Sequence, residues 1–547
     1  MPIKKLIESA ISEKSSYSEN ITDIERVLAS PESIERRVQG IITIGAPEDI
    51  GAVLKLANSK SVLASTPFSI YPVSTGNNWG YGSGLPVSDA AVTVIMDLAN
   101  LNNITFFDED NGICALQPGV TQSILHQFLT QQNTDLMVPV TGAGPDCSVL
   151  ANALERGYGI TPCTDHFLAV TAIKGYLPSG DFYESSLSVM DESSEKYVDR
   201  TFKWKHGPYL DGIFTQSGNM IVTEITLVLE RIPSGFDSFY MRFYDEDSFE
   251  TAYGVVKTIF KHLSGVVGSI NLMDKRRVAA MVADNPQGPE NHINSTDEQI
   301  AEIARQHDVP EWTIVGTIYA PKGVSRAARK LIKKIAKGKA DNVLFSEGML
   351  IKIGKFVSDL FPVGPLKKAR EQLKTLELGI QIMRGNPNQV ALPLAYWRNP
   401  RVRPDRSNAL NPAKDGCGLL WYAPLVPAKA DVMLKYIDMV RTICSAHNIE
   451  PMVTFTNLTG YSTDSTIPIV FDRENPEAVT AAHNCLEALL AEGLKHGFVP
   501  YRLNINQQSK LDSSAPFWKV ANQIAGVLDK NKILSRGRYN PATYEED

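Results

Sequence analysis

The sequence predicts an α+β fold divided into two large units, and three observations carry that reading. Residues 41–82 run as a short β-stretch, a helix, a second β-stretch and a glycine cluster. Residues 92–232 are mostly short β-branched or aromatic runs broken by Gly, Pro, Asn and Asp. Beyond IPSG (232–235) longer helical periods take over. A length of 547 residues allows two large domains or about three of ordinary size.

Taken in order, residues 1–40 alternate charged and apolar positions at helical spacing and read as a helical lead-in. IITIG (41–45) is a β-run, and PEDIGAVLKLANS (47–59) is a helix with proline at its start and acids in its first turn. FSIYPVS (68–74) is the strand that delivers the glycine cluster STGNNWGYG (74–82). Strands follow at VTVIMDL (92–98), ITFFDED (104–110), GICALQP (112–118), FLAVTAIKGYLP (167–178) and MIVTEITLVLE (220–230). The amphipathic helix TQSILHQFLTQQ (121–132) interrupts them. Past the break, helices are expected within 298–307, 325–339, 427–448 and 478–497, with a strand at MVTFTNLT (452–459) and a tail of short irregular elements from 498.

Composition narrows the function. With 43% hydrophobic residues the chain can bury a sizeable core, and 54 Lys and Arg against 61 Asp and Glu leave a net charge of −7 that argues against a nucleic-acid partner. The basic stretch 325–339 reads as a solvated helix face rather than an anion-docking site. Cysteines at 114, 147, 163, 417, 444 and 485 are scattered, without the spacing of a metal site or a disulfide scaffold. With no apolar leader core and no run of about 18 apolar residues, a cytoplasmic protein without a transmembrane segment is expected.

Chemistry concentrates in three clusters. STGNNWGYG fits neither GxGxxG nor GxxxxGK[ST], so its glycines at 76, 80 and 82 read either as a plain turn or as a loop that aims N–H groups at a phosphate. VTGAGPDCSVLANALERGYGITPCTDHF (140–167) packs Gly and Pro breaks ahead of Asp165–His166, and a long ordered irregular stretch of this kind is usually functional. GPYLDGIFTQSGNMIVTEITLVLE (207–230) ends in a buried strand pattern.

In this order and spacing, and with PEDIGAVLKLA (47–57), PGVTQ (118–122) and VPYRLNINQQ (499–508), the clusters resemble the FAD-binding oxidases of the vanillyl-alcohol oxidase and p-cresol methylhydroxylase family. The resemblance implies a two-domain α+β flavoprotein: a PCMH-type FAD-binding domain from residues 1–232, an α+β cap over 233–497, and a segment, 498–547, returning to the active site. It places the FAD pyrophosphate on the backbone of Ser74, Thr75, Gly76, Asn77, Asn78 and Gly82, and FAD contacts at Pro118, Gly119, Gly157, Gly159, Thr161, Asp165, Ile221, Val222 and Arg502.

Catalytic residues carried over by resemblance are Tyr81, Tyr501 and Arg502, which would hold a phenolate, and Asp165, which would stand near flavin N5. Trp421, Tyr422 and Thr454 would wall the substrate cavity, with Thr454 standing where hydroxylating members carry a carboxylate. The cap histidine that binds flavin covalently in many members is replaced by Leu419, and no histidine occurs between His307 and His447. Covalent attachment is left open: a tyrosyl link would use Tyr396, and Cys417 is a weaker linker.

The activity implied is hydride transfer from the benzylic carbon of a para-substituted phenol to FAD through a quinone methide. Hydration, desaturation and oxidative decarboxylation all remain open as its fate. Oxygen or an electron-acceptor protein would reoxidise the flavin, and a homodimer is the family's habit. The alternatives are an FAD-dependent 2-hydroxy-acid oxidase or dehydrogenase, and a non-catalytic flavin-binding protein.

Overall fold

A computed structural model describes the chain apart from residues 1, 78, 90, 160, 289–291, 347–364, 400, 403, 405–407, 546 and 547. Four strands open the fold: β1 (Ser16–Ser18), β2 (Gly40–Thr43), β3 (Ser69–Val73) and β4 (Thr93–Asp97), in the order β1-β2-β4-β3. β2 and β3 both pair parallel with β4, while β1 closes the far edge antiparallel. Parallel strands need a crossover, supplied here by the helix Pro47–Ala57, which buries Ile50, Val53 and Leu54 against the sheet core. The lead-in is therefore not wholly helical: helices Ile3–Glu8 and Ile21–Leu28 flank β1, whose pairing with β2 overrides the helical spacing.

A second, antiparallel sheet follows, built from β5 (Ile104–Asp108), β6 (Ile113–Leu116), β7 (Val170–Tyr176), β8 (Phe182–Tyr183) and β9 (Ile221–Val228) in the order β5-β6-β9-β7-β8. Thr121 caps the helix Gln122–Gln131 through the Ile124 N–H at 3.1 Å, and Leu125 and Leu129 turn into this sheet's core.

The cap is an eight-stranded sheet in the order β13-β10-β12-β11-β16-β17-β15-β19. Its strands are β10 (Asp237–Phe243), β11 (Val267–Asp274), β12 (Trp312–Ile318), β13 (Asn342–Phe345), β15 (Pro424–Val426), β16 (Thr454–Asn457), β17 (Thr463–Ser465) and β19 (Val499–Pro500). A separate ribbon joins β14 (Cys417–Tyr422) to β18 (Ile467–Asp472). One face of the large sheet is apolar: Ile270, Leu272 and Phe455 pack with Tyr253, Ile259 and Tyr436 from the helices Phe249–Leu263 and Ala430–Ala446. Strand alternation turns Asn271, Met273, Thr454, Thr456 and Asp464 to the other face.

The tail does more than return. Val499–Pro500 finishes the cap sheet beside β15, and the tail crosses back so that Ile70 of β3 donates to Ile533 O at 2.7 Å. Between these contacts lies a helix, Pro516–Leu528, where the sequence predicts only irregular elements. The basic segment 325–339 is largely the helix Lys322–Ala336, which buries Ala328 and Ile332 and turns its lysines outward, as a solvated face would. Among the described residues no helix is long and apolar enough to cross a membrane.

Candidate active site

The carboxyl ends of the parallel strands β3 and β4 open onto a cleft of about 930 Å³ including its mouth. In open α/β sheets this is where ligands lie. Ser74, Thr75, Gly76 and Asn77 line it, as do Pro118, Val222 and Arg538. The loop is held open by tethers: Thr75 Oγ1 and Asn77 Nδ2 both donate to Asp146 O, at 3.0 and 3.2 Å. Asn78 lies outside the described residues.

The glycines of this loop divide by role. Gly76, at φ +69°, has only Val73 Cγ1 near the position of an added Cβ, and it faces the cleft. Gly80 and Gly82 are small for another reason. A Cβ on Gly80 would stand 2.0 Å from the Trp421 ring, and one on Gly82 would stand 2.9 Å from Ile505. The Gly80 N–H is already taken by the buried carboxylate of Glu32, whose proton affinity is raised by desolvation. Gly80 and Gly82 thus seat the cap strand and the tail, whereas the resemblance places Gly82 on the pyrophosphate and the sequence leaves Gly80 between a turn and a phosphate loop. Gly119, Gly157 and Gly159 are close-packed in the same way, against Ala99 O, the Asn152 side chain and the His166 ring. Ile221 points into the core of the first sheet, and its neighbour Val222 lines the cleft.

Tyr81 converges with Tyr501 and Arg502 although it stands 420 positions before the first of them. The two tyrosine hydroxyls are 3.5 Å apart, the Arg502 guanidinium lies 4.3 Å from the centre of the Tyr81 ring, Tyr81 and Arg502 are buried, and Tyr501 is half-buried. Main-chain bonds fix them: Ile505 N–H donates to Tyr81 O at 3.0 Å, and Gln216 Nε2 donates to Tyr501 O at 3.2 Å. Burial pushes both phenols well above their ordinary pKa, against the opposing charge of Arg502. They are therefore neutral donors at working pH.

Arg502 is anchored by Ser83 Oγ at 2.5 Å and by Glu155 Oε2 at 3.1 Å from its Nε. The other Glu155 oxygen meets Arg538, which donates to the Tyr71 hydroxyl at 2.8 Å. Burial works to raise the Glu155 pKa, but Arg538 and Arg502 overcome it and hold the carboxylate below its usual range. One carboxylate thus ties the phenol pair to a guanidinium on the cleft wall.

Two further groups complete the cluster. The Tyr158 ring lies 4.7 Å from that of Tyr501, centroid to centroid. Asp464, on the polar face of the cap sheet, is 4% exposed and acts electrostatically on Tyr81, Tyr158 and Tyr501. Desolvation pushes its pKa up to about 7, against hydrogen bonds from Thr466 and the Ser465 N–H, and its Oδ1 has no partner. Sequence reasoning missed Asp464, because one acid in the run STDSTIP carries no motif; only the strand's alternation, with its register known, marks it as inward.

The remaining expected site residues are placed as follows. Asp165 is exposed, and its Oδ1 accepts the N–H groups of Phe167 and Leu168 at 3.0 and 3.2 Å, the bonding of a turn residue. Thr161 is buried beside it in the same irregular segment. Trp421 packs on Gly80 and Thr454 faces the polar side of the cap sheet with its hydroxyl unpartnered. Tyr422 does not wall the cavity: strand alternation turns it into the cap core, where it stacks with Tyr436 at 6.5 Å and its hydroxyl reaches Phe498 O. Tyr396 shares an apolar cluster with Trp79 and Leu419, and its hydroxyl is bonded to Asp415. Burial pushes the Cys417 thiol up to about 12, so it is protonated and inert.

Fold and cleft together define an FAD-dependent oxidoreductase: residues 38–184 match the FAD binding domain family, and the cleft lies at the loop after β3. Its homologues are p-cresol methylhydroxylase and related PCMH-type flavoproteins. The chain is 29% identical to 1'-carboxy-chondrochloren decarboxylase of Chondromyces crocatus, across 92% of this chain and 91% of that one. It is 24% identical to the flavoprotein subunit of the hydroxylating 4-cresol dehydrogenase of Pseudomonas putida, across 95% and 91%. Its fold is shared by the 4-ethylphenol oxidase of Gulosibacter chungangensis solved with isoeugenol, with a TM-score of 0.83 at 18% identity, covering 98% and 95%.

Proposed function

We propose that the enzyme oxidises a para-substituted phenol, removing hydride from the carbon attached to the ring. The observation that carries this reading is the pairing of two neutral, part-buried tyrosine hydroxyls at 3.5 Å beside the Arg502 guanidinium. Both hydroxyls can donate to one substrate oxygen, and the fixed cation favours that oxygen as phenolate. Charge on the phenolate flows into the ring, weakening the benzylic C–H bond toward loss of hydride and leaving a quinone methide. FAD, when bound, supplies the acceptor for the two electrons and the hydrogen.

The cleft residues fit that cofactor. Gly76, at the cleft, leaves room for close approach to the main chain, and Arg538 brings a positive charge to the wall. Asp464 takes the phenolic proton. A carboxylate with a pKa near 7 and a free oxygen accepts a proton from a phenol more readily than an ordinary acid would, and neutralising Asp464 as the phenolate forms keeps the buried charge constant. The Pseudomonas and Gulosibacter enzymes are named for cresol and ethylphenol, which supports the substrate class.

Anaerobic mixing with a series of 4-alkylphenols tests the reading. Bleaching of the flavin is expected with wild type, and Arg502→Ala is expected to retain FAD yet slow bleaching by about 10²–10³. Wild-type rates in that variant would overturn the phenolate assignment.

A further inference from the structure

We propose that Arg277 is the anion-binding end of the substrate cavity, so that the phenol accepted here carries a carboxylate on its para side chain; this rests on the phenol reading above. Arg277 lies three residues past β11, in the helix Lys275–Val282. Asp274 caps that helix, its Oδ1 accepting the N–H of Arg277 at 2.8 Å and that of Val453 at 3.2 Å. The head of the helix is thereby clamped to the root of β16, beside Thr454. Ala280, one turn further on, packs against the cluster that holds Trp79 of the glycine loop, Leu394, Leu419 and Met452. The head of this helix therefore sits near the seam between cap and flavin domain, at the Thr454 end of the polar sheet face.

Its chemistry is unfinished. Nε and Nη1 of Arg277 are shut off from water and have no hydrogen-bond partner. Desolvation pulls its pKa down to about 10 against the partial opposition of Asp274. Asp274 offsets the charge only at a distance too long for a hydrogen bond, and guanidinium nitrogens buried without an acceptor are costly. On the neighbouring sheet face Asn271 Oδ1, Thr454 Oγ1 and Asp464 Oδ1 are also buried and unpartnered. Orphaned polar atoms on adjoining elements are what one polar ligand spanning them would satisfy. A single planar guanidinium matches a carboxylate, which it can grip through two parallel bonds.

Calorimetric binding of 3-(4-hydroxyphenyl)propionate and of 4-propylphenol to the FAD-loaded protein, wild type and Arg277→Met, decides the matter. Wild type is expected to bind the acid more tightly, and the variant to lose about tenfold to a hundredfold of that preference, with Arg277→Lys recovering part of it. The melting temperature of ligand-free Arg277→Met should rise, because two buried nitrogens without acceptors are gone; a merely structural arginine would lower it. An unchanged preference, no preference in wild type, or loss of FAD from the variant would each overturn the assignment. Failure of 4-propylphenol to bleach the wild-type flavin would instead sink the phenol reading, while the binding arm still decides Arg277.

Discussion

Asp464→Asn is expected to abolish a near-neutral inflection in the rate of flavin reduction and, at the same time, to stabilise the protein at alkaline pH. The Asp464 carboxyl is raised from 3.8 to about 7 by burial, a shift of about three pH units. At about 1.4 kcal/mol per unit, the folded state loses about 4 kcal/mol relative to the unfolded chain when this group ionises. The sign follows from proton counting. Between pH 4 and 7 the folded protein holds a proton on Asp464 that the unfolded chain has released, so stability falls as pH rises through that window and is level above it. Asparagine cannot ionise, and the gap between variant and wild type should widen from pH 5 to pH 8. Urea unfolding of the FAD-loaded proteins at pH 5, 6, 7 and 8 measures it. In stopped-flow reduction by a 4-alkylphenol, the wild-type rate should rise with an apparent pKa near 7, and the variant should be flat and about 10²-fold slower. Parallel stability curves together with a surviving inflection would refute the reasoning, since burial of the carboxylate and its proton-accepting role are one claim.

Three further outcomes follow from the same geometry. Gly80→Ala should destabilise the protein by about 2–3 kcal/mol, measured by chemical unfolding, because the new methyl meets the Trp421 ring at 2.0 Å and φ is +88°. Glu32→Gln should lower the urea midpoint of unfolding, since the buried carboxylate that fixes the Gly80 N–H, where the cap strand is seated, is replaced by a weaker acceptor. Tyr396 is held protonated by burial and by Asp415, so denatured intact mass is expected to equal that of the bare polypeptide; a mass gain of one FAD that disappears in Tyr396→Phe would reverse that expectation.

How much could be read in the sequence depended on how local the signal was. The helix 47–57 and the strands of the first two sheets follow from capping residues, proline placement and periodicity, all contained within a dozen positions. The cap's β10, β11 and β12 escaped because they are separated by helices and loops and pair antiparallel at long range, which leaves no local mark. At the site, Tyr81, Tyr501 and Arg502 were named through resemblance, and the structure brings them together. Gly80 reads from sequence as part of a plain turn or of a phosphate-binding loop, yet its smallness answers to Trp421, a residue 341 positions away whose approach no local pattern encodes. Asp464, Glu155 and Arg277 were missed for the same reason. Their chemistry lies in what surrounds them: a desolvating sheet face, two flanking arginines, and two buried guanidinium nitrogens without acceptors.

The central claim is that Tyr81, Tyr501 and Arg502 hold a phenolate for hydride removal. Anaerobic titration of the flavin-loaded enzyme with 4-ethylphenol, followed by the flavin absorbance, tests it most directly. Full bleaching at one equivalent of electron pairs, slowed by a primary deuterium effect when the benzylic carbon is deuterated, is the expected result. A flavin that stays oxidised with every 4-alkylphenol, but bleaches with a 2-hydroxy acid, would contradict it.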